Sequence, residues 1–139
     1  MINFTASFSG KNRTTPAREA ICQFFDSSHE PTDFNQISEH LLSRGLEVNK
    51  TTVYRQLDFL LAEKLIEAID LGEGKKRYEK KRDHHHHLVC TTCHQIECVG
   101  FSEDLSRQEA EITQTTRFKI TGHTLDFFGI CRKCQIKLK

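Results

Sequence analysis

The stretch His84-His85-His86-His87-Leu88-Val89-Cys90-Thr91-Thr92-Cys93 sets four imidazoles directly before a Cys-x-x-Cys pair, and a second pair, Cys131-Arg132-Lys133-Cys134, follows further on. A Cys-x-x-Cys turn lets two thiolates reach one ion, and two such turns give the closed tetrahedral sulfur set that suits structural zinc. Cys90, Cys93, Cys131 and Cys134 are therefore read as a tetrathiolate zinc site with no open coordination position and no catalytic role. The competing reading, two redox pairs, fits less well, because reactive pairs normally come singly at a helix N-terminus. The histidine run continues through Leu88-Val89-Cys90 in the manner of a strand. Alternate strand residues face one side, so His85 and His87 point one way, His84 and His86 the other, and one strand can serve two metal sites. Two imidazoles alone hold a metal weakly; His29, Glu30, Glu67, Asp70, Glu79, Glu103, Asp104, Glu109 and His123 are available to complete such sites. The plain alternative is a solvated polar strand.

Upstream of the run, Lys75-Lys76-Arg77-Tyr78-Glu79-Lys80-Lys81-Arg82 holds six basic residues and one acid. It forms one arm of a hairpin predicted over Leu65–Leu71 and Lys76–Lys80 around Gly72-Glu73-Gly74. Three helices are predicted before it. Thr14-Thr15-Pro16 starts the first, with Ala17, Ala20, Ile21, Phe24 and Phe25 at helical spacing to about Ser27. Pro31-Thr32-Asp33 starts the second, striped by Phe34, Ile37, Leu41 and Leu42 and closed by Gly45. Asn49 starts the third, whose buried face is Val53, Leu57, Leu60 and Leu61. Three helices and a basic hairpin form the pattern of a winged helix-turn-helix. On the third helix, Thr51-Thr52-Val53-Tyr54-Arg55 offers hydroxyls and a guanidinium suited to phosphates and base edges. A surface helix and a charge run are each weak signals alone; their order along the chain is what points to DNA.

Downstream of Asp83 the periodicity changes. Strands are predicted at His86–Cys90 and Gln95–Val99, a helix from Ser102-Glu103-Asp104 to about Thr115, and a longer strand over Phe118–Phe128. The expected fold is α+β: a winged helix-turn-helix domain at 1–83, then a small α/β domain at 84–139 with the four-cysteine zinc site.

The 139 residues, 37% hydrophobic and 28% charged, have the composition of an ordinary globular protein, and a net charge of +1 leaves any nucleic-acid role to local patches. No stretch reaches the roughly 18–20 apolar residues of a membrane span. Met1-Ile2-Asn3-Phe4-Thr5-Ala6 lacks the charged and apolar regions of a signal peptide. Six cysteines are then expected in a reducing cytoplasm, where pairs mean metal or redox chemistry. Cys22 reads as a small buried hydrophobe; Cys98 is open between core residue, ligand and oxidisable thiol. A metal hydrolase would need an open metal position with Glu79 or Glu97 as base, but no His-Glu-x-x-His or comparable motif is present.

Several segments occur together in an order that resembles the Fur (ferric uptake regulator) family of metal-responsive repressors. They are Arg13-Thr14-Thr15-Pro16-Ala17-Arg18-Glu19-Ala20-Ile21, Thr52-Val53-Tyr54-Arg55-Gln56-Leu57, Arg77-Tyr78-Glu79, the His84–Cys93 stretch, Phe118-Lys119-Ile120-Thr121-Gly122-His123 and Gly129-Ile130-Cys131-Arg132-Lys133-Cys134. The likeness runs from about residue 13 to 134. It implies a homodimer, with a C-terminal dimerisation domain, that closes on a palindromic double-stranded DNA operator when metal binds and represses transcription.

By motif, the resemblance implies structural Zn²⁺ on Cys90, Cys93, Cys131 and Cys134. It implies a regulatory Fe²⁺, Zn²⁺ or Mn²⁺ site on Glu79, His85 and His87, completed by His29 or Glu30. A further site would use His84, His86 and His123 with an acid of the following helix, Glu103 or Asp104. The implied DNA contacts are Tyr54 and Arg55 in the major groove and Arg13 in the minor groove, beside the Thr51, Thr52, Lys75 and Lys76 read from the helix and hairpin. Two positions depart from the family pattern. His94 stands where Gly is usual, and Cys98 stands where many members place a carboxylate ligand, with Glu97 just before it. A thiolate there shifts the expected metal toward zinc. The packed histidines also resemble the zinc-uptake branch, whereas the peroxide-sensing branch tends to have Asp at the positions of Glu79 and Cys98. A thiol redox switch through Cys98 or the zinc thiolates is the alternative mode of sensing.

Overall fold

Caps and glycines set the helices of the first unit. The computed structural model describes Phe4, residues 14–100 and residues 104–139, and the chain divides into two compact units after Asp83. Helix α1, Pro16–Ser27, begins where the Thr15 side chain accepts from the Arg18 amide and Pro16 takes the first turn. Helix α2, Phe34–Ser43, starts directly after Pro31-Thr32-Asp33, as that segment predicts. Thr32–Asp33 forms a short strand, β1, and Asp33 closes a capping box: its carboxylate accepts from the Gln36 amide at 2.9 Å, while Gln36 Oε1 accepts from the Asp33 amide at 2.9 Å. The helix ends at Gly45, whose φ of +73° is the left-handed conformation that lets Leu46 N–H reach back to Leu41 O at 2.9 Å. Helix α3, Lys50–Ala62, is capped by Asn49.

Strands β2 (Ile66–Asp70) and β3 (Lys76–Lys80) form the antiparallel hairpin, and β1 pairs on the other side of β3, with Thr32 opposite Tyr78. The core beneath gathers Phe4, Ile21, Phe25, Ile37, Leu41, Val53, Leu57, Leu60 and Ile66. Cys22 is buried within it, and burial pushes its thiol up to about 11, as a packing residue requires. Gln56 also lies on the buried face of α3, a position periodicity leaves unexplained. It accepts from Arg18 Nε at 2.7 Å, while the Arg18 guanidinium lies 3.8 Å over the Phe59 ring.

The second unit is a three-stranded sheet in the order β5-β4-β6. β4 (His86–Cys90) and β5 (Ile96–Val99) are antiparallel, and β6 (Asp126–Gly129) runs parallel to β4. Helix α4, Ser106–Thr116, connects β5 to β6, and α5, Arg132–Lys137, follows. The strand expected over Phe118–Phe128 is a correction: residues 117–125 form no helix or strand, and only Asp126–Gly129 pairs. Phe118-Lys119-Ile120-Thr121 alternates apolar and polar residues, but the alternation loses phase from Gly122 to Leu125, and Phe118 is exposed. Leu88, Phe127, Phe128 and Ile130 leave an apolar face beside a groove of about 320 Å³.

Candidate metal centre

The cysteine quartet is built from a strand end, a turn and a helix start. Cys90 closes β4, Cys93 follows in the turn, Cys131 caps α5 and Cys134 lies inside it. Their sulfurs all lie within 4.8 Å of one another. Cys93 Sγ and Cys131 Sγ are 3.7 Å apart, against about 3.8 Å for the edge of a tetrahedron with metal–sulfur bonds of about 2.3 Å. The spacing therefore fits a tetrathiolate zinc and is far from a disulfide. Amides of Cys131 and Cys93 point at Cys90 Sγ at 3.3 and 3.5 Å and hold its thiol down at about 6. Burial, together with the neighbouring thiols, pushes Cys134 up to about 12. The turn passes through His94 at φ +61°, which supplies the physical reason for the family's usual Gly. His94 N–H bonds Cys90 O at 2.9 Å to close the turn.

His84 and His85 precede β4, and with His86 and His87 of the strand they divide as alternation requires. On one face His87 lies directly across from Cys98 of β5, and His85 stacks edge-on to His87 with ring centres 5.0 Å apart. One ligand atom from each of His85, His87 and Cys98 falls within a common 4.8 Å. The strand pleat turns Glu97, opposite Leu88, to the other side, where it meets Gln95 at 3.3 Å and lines the apolar groove. Sequence spacing leaves Cys98 and Glu97 as alternatives; the pleat brings Cys98 to the histidines. His87 Nδ1 also lies 3.0 Å from Asp126 Oδ1 on β6, a residue that the sequence motifs do not single out.

In the first unit, Glu79 is buried on β3, with Arg82 Nη2 3.8 Å from its carboxylate. His29 and Glu30 are exposed before β1; the His29 carbonyl accepts from Arg82 Nη2 at 2.8 Å. Among the described residues, neither His29 nor Glu30 belongs to a group of three or more clustered metal-ligand atoms.

On the other face of β4, His84 packs edge-on to His86 with centres 4.6 Å apart and to His123 at 5.5 Å. His86 Nδ1 contacts Leu125 O at 3.0 Å. The acid beside His123 is Glu109 of α4, with Oε1 2.8 Å from His123 Nδ1. Asp104 is engaged elsewhere. Its carboxylate accepts from the Ser106 amide at 2.9 Å at the start of α4, and hydrogen bonds from Ser106 hold it below the usual carboxylate range. Glu103 lies outside the described residues.

The helix and hairpin of the first unit frame a cleft of about 540 Å³ lined by Phe34, Lys50, Tyr54, Asp58, Lys75 and Lys76, among others. Tyr54 stacks on Phe34 at 4.7 Å, with Lys50 Nζ 5.8 Å from both rings. Thr51, Tyr54 and Arg55 are exposed and Thr52 is half-buried. The basic run is less free than its composition suggests. Arg77 is buried in a two-pronged pair with Glu73, at 2.6 and 3.0 Å. Lys80 pairs with Asp26 at 2.5 Å, and Lys75 with Asp33 at 2.7 Å. Lys76 and Lys81 are exposed. Arg13 lies outside the described residues.

The sequence matches the Ferric uptake regulator family over residues 9–128, most of the chain. The chain belongs to the ferric uptake regulator family. It is 31% identical over 135 residues to the ferric uptake regulation protein of Bacillus subtilis, covering 93% of this chain and 89% of that one. It is also 26% identical to the peroxide-responsive repressor PerR of Staphylococcus aureus, over 90% of this chain and 84% of that one. Its fold is that of the ferric uptake regulator of Francisella tularensis, solved with iron, at a TM-score of 0.75, 20% identity and coverage of 90% and 96%. As a member of the family, the chain is a metal-responsive transcriptional regulator.

Proposed function

We propose that this family member is a cytoplasmic, homodimeric repressor that binds a palindromic operator when Fe²⁺ or Zn²⁺ occupies a site containing His85, His87 and Cys98. The observation that carries the reading is the cross-strand pairing of His87 with Cys98, with His85 on the same face. One thiolate and two imidazoles make a three-donor set with room for another ligand, and the thiolate favours Zn²⁺ over Fe²⁺ and Mn²⁺. Glu79 is the wing donor that the family's motif order assigns to the same site, with His29 and Glu30 as further candidates. Cys90, Cys93, Cys131 and Cys134 hold structural zinc, and His84, His86, His123 and Glu109 form the additional site.

A donor set drawn from both sides of residue 83 would link metal occupancy to the disposition of the DNA-reading helix. A ligand that favours one arrangement shifts the population toward it by its differential affinity. Thr51, Thr52, Tyr54 and Arg55 on α3, with Lys50, Lys75 and Lys76 at the rim of the cleft, are the proposed operator contacts. Arg13 is the proposed minor-groove contact. Leu88, Phe127, Phe128 and Ile130 offer the apolar face on which a second copy would pack.

The test is a metal count on protein purified without chelator, followed by operator titrations at fixed salt with Zn²⁺, Fe²⁺ and Mn²⁺ separately. An operator selected from random duplexes serves as probe. We expect one tightly retained zinc per chain and DNA affinity that rises on adding a second metal, most sharply with Zn²⁺. Equal affinity with chelator and with excess metal would overturn the proposal.

A further inference from the structure

The two strands flanking β4 do different things to His87. β5 brings the Cys98 thiol to it from one side, and β6 brings the Asp126 carboxylate from the other. His87 and Asp126 are register partners in the parallel pair, and the side chains are 7% and 17% exposed, so the 3.0 Å contact between Nδ1 and Oδ1 is shielded from water. We infer that Asp126 is a positioning residue for the sensing site: it holds the proton on His87 Nδ1 and so presents a bare Nε2 to a metal.

The chemistry follows from what each group can do. An ionised carboxylate only accepts hydrogen bonds, so a neutral imidazole facing it must donate from Nδ1. The remaining nitrogen, Nε2, then carries the lone pair, and a ligating imidazole backed by a carboxylate is also the more basic donor. His86 repeats the arrangement on the opposite face, with Nδ1 against the Leu125 carbonyl at 3.0 Å. The start of β6 thus sets the ring orientation of successive histidines that face opposite sides. Asp126 is not a member of the group formed with His85 and Cys98, which separates its role from that of a ligand. The inference rests on the sensing-site reading above, so its test includes a control for that reading.

With the cysteine quartet zinc-loaded and the sensing site empty, long-range ¹H–¹⁵N correlation spectra of labelled protein report the tautomer of each histidine. Wild type should show His87 protonated on Nδ1. Asp126→Ala should move His87 to a mixture dominated by the Nε2–H form. Zn²⁺ affinity at the site, measured by chelator competition, should weaken by about 10–100-fold. Asp126→Asn, whose amide oxygen still accepts, should keep the Nδ1–H tautomer and lose less affinity, and it decides the case if the alanine variant fails to retain its quartet zinc. Unchanged tautomer and affinity within about twofold in Asp126→Ala overturn the inference. His87→Ala separates the two levels: if it still binds the second Zn²⁺ at wild-type affinity, the sensing-site reading itself fails. If it loses that ion while Asp126→Ala keeps it, only the role of Asp126 fails.

Discussion

Stripping the metal from the cysteine quartet should unfold residues 84–139 while leaving the winged-helix unit intact. The first unit has its own core, with Phe4, Ile21, Phe25, Ile37, Leu41, Val53, Leu57 and Leu60 all at or below 1% exposure. In the second, the buried apolar side chains among the described residues, apart from the quartet's own Cys90 and Cys134, are Val89 and Ile96. At roughly 1.5–3 kcal/mol for each fully buried side chain, those two contribute about 3–6 kcal/mol. A structural zinc in a small domain supplies roughly 10–16 kcal/mol of apparent binding free energy at neutral pH. The metal term therefore dominates. Helices α1, α2 and α3 hold 12, 10 and 13 residues against 11 and 6 in α4 and α5, so about a third of the helical circular-dichroism signal should vanish. Hydrogen exchange read by mass spectrometry after chelation under reducing conditions should show loss of protection confined to peptides beyond residue 83. Unchanged protection in 84–139, or simultaneous loss in both units, would refute the assignment of the quartet as the second unit's structural staple.

Two further outcomes follow from the same geometry. Replacing Cys98 by Asp should move the sensing site's preference from Zn²⁺ toward Mn²⁺ and Fe²⁺ by about tenfold or more, ~1.4 kcal/mol, because a hard oxygen donor replaces a thiolate. Competition titrations giving the wild-type Zn²⁺/Mn²⁺ ratio would count against Cys98 as a ligand. Quartet zinc affinity should also fall with acidification. Cys134, pushed up to about 12, enters neutral solution protonated and must release its proton on ligation, which makes affinity rise with pH by about tenfold per unit for that proton. Cys90, held near 6, remains thiolate above that pH and adds its own competition with protons below it. Chelator competition between pH 5 and 8 that yields a flat profile would contradict this.

Much of the first unit was legible because its signals are local. Thr15-Pro16, Asn49 and the Gly72-Glu73-Gly74 hairpin each have a cap or turn chemistry that the chain shows without tertiary help. Asp33 caps α2 as Pro31-Thr32-Asp33 suggests, while the pairing of Thr32 and Asp33 with β3 is a non-local fact that the chain does not show. The second unit was harder. Asp126–Gly129 is a strand only because β4 lies beside it in parallel, and α5, six residues beginning just after Cys131, is too short for periodicity to register. The site shows the same divide. Cysteine spacing and histidine alternation are sequence properties; the quartet follows from the first and the His85/His87 pair from the second, whereas Cys98 joins that pair only through the β4–β5 register. Folding makes choices that spacing does not: nothing marks Asp126 as the partner of His87, and among the acids available to His123 nothing ranks Glu109 above the helix-start Asp104. The hairpin's basic run looked like a free charged surface, yet Arg77, Lys80 and Lys75 each meet an acid from elsewhere in the same unit.

The most direct test of metal-gated DNA binding pairs the wild type with a His85→Ala/His87→Ala variant on one selected operator at fixed salt, each with chelator and with saturating Zn²⁺. The account predicts that both proteins keep their quartet zinc and fold. Added metal should tighten wild-type binding by about 5–150-fold, the range of a coupling free energy of about 1–3 kcal/mol, and leave the variant unchanged. A variant that responds to metal as the wild type does, or a wild type that does not respond, would contradict it.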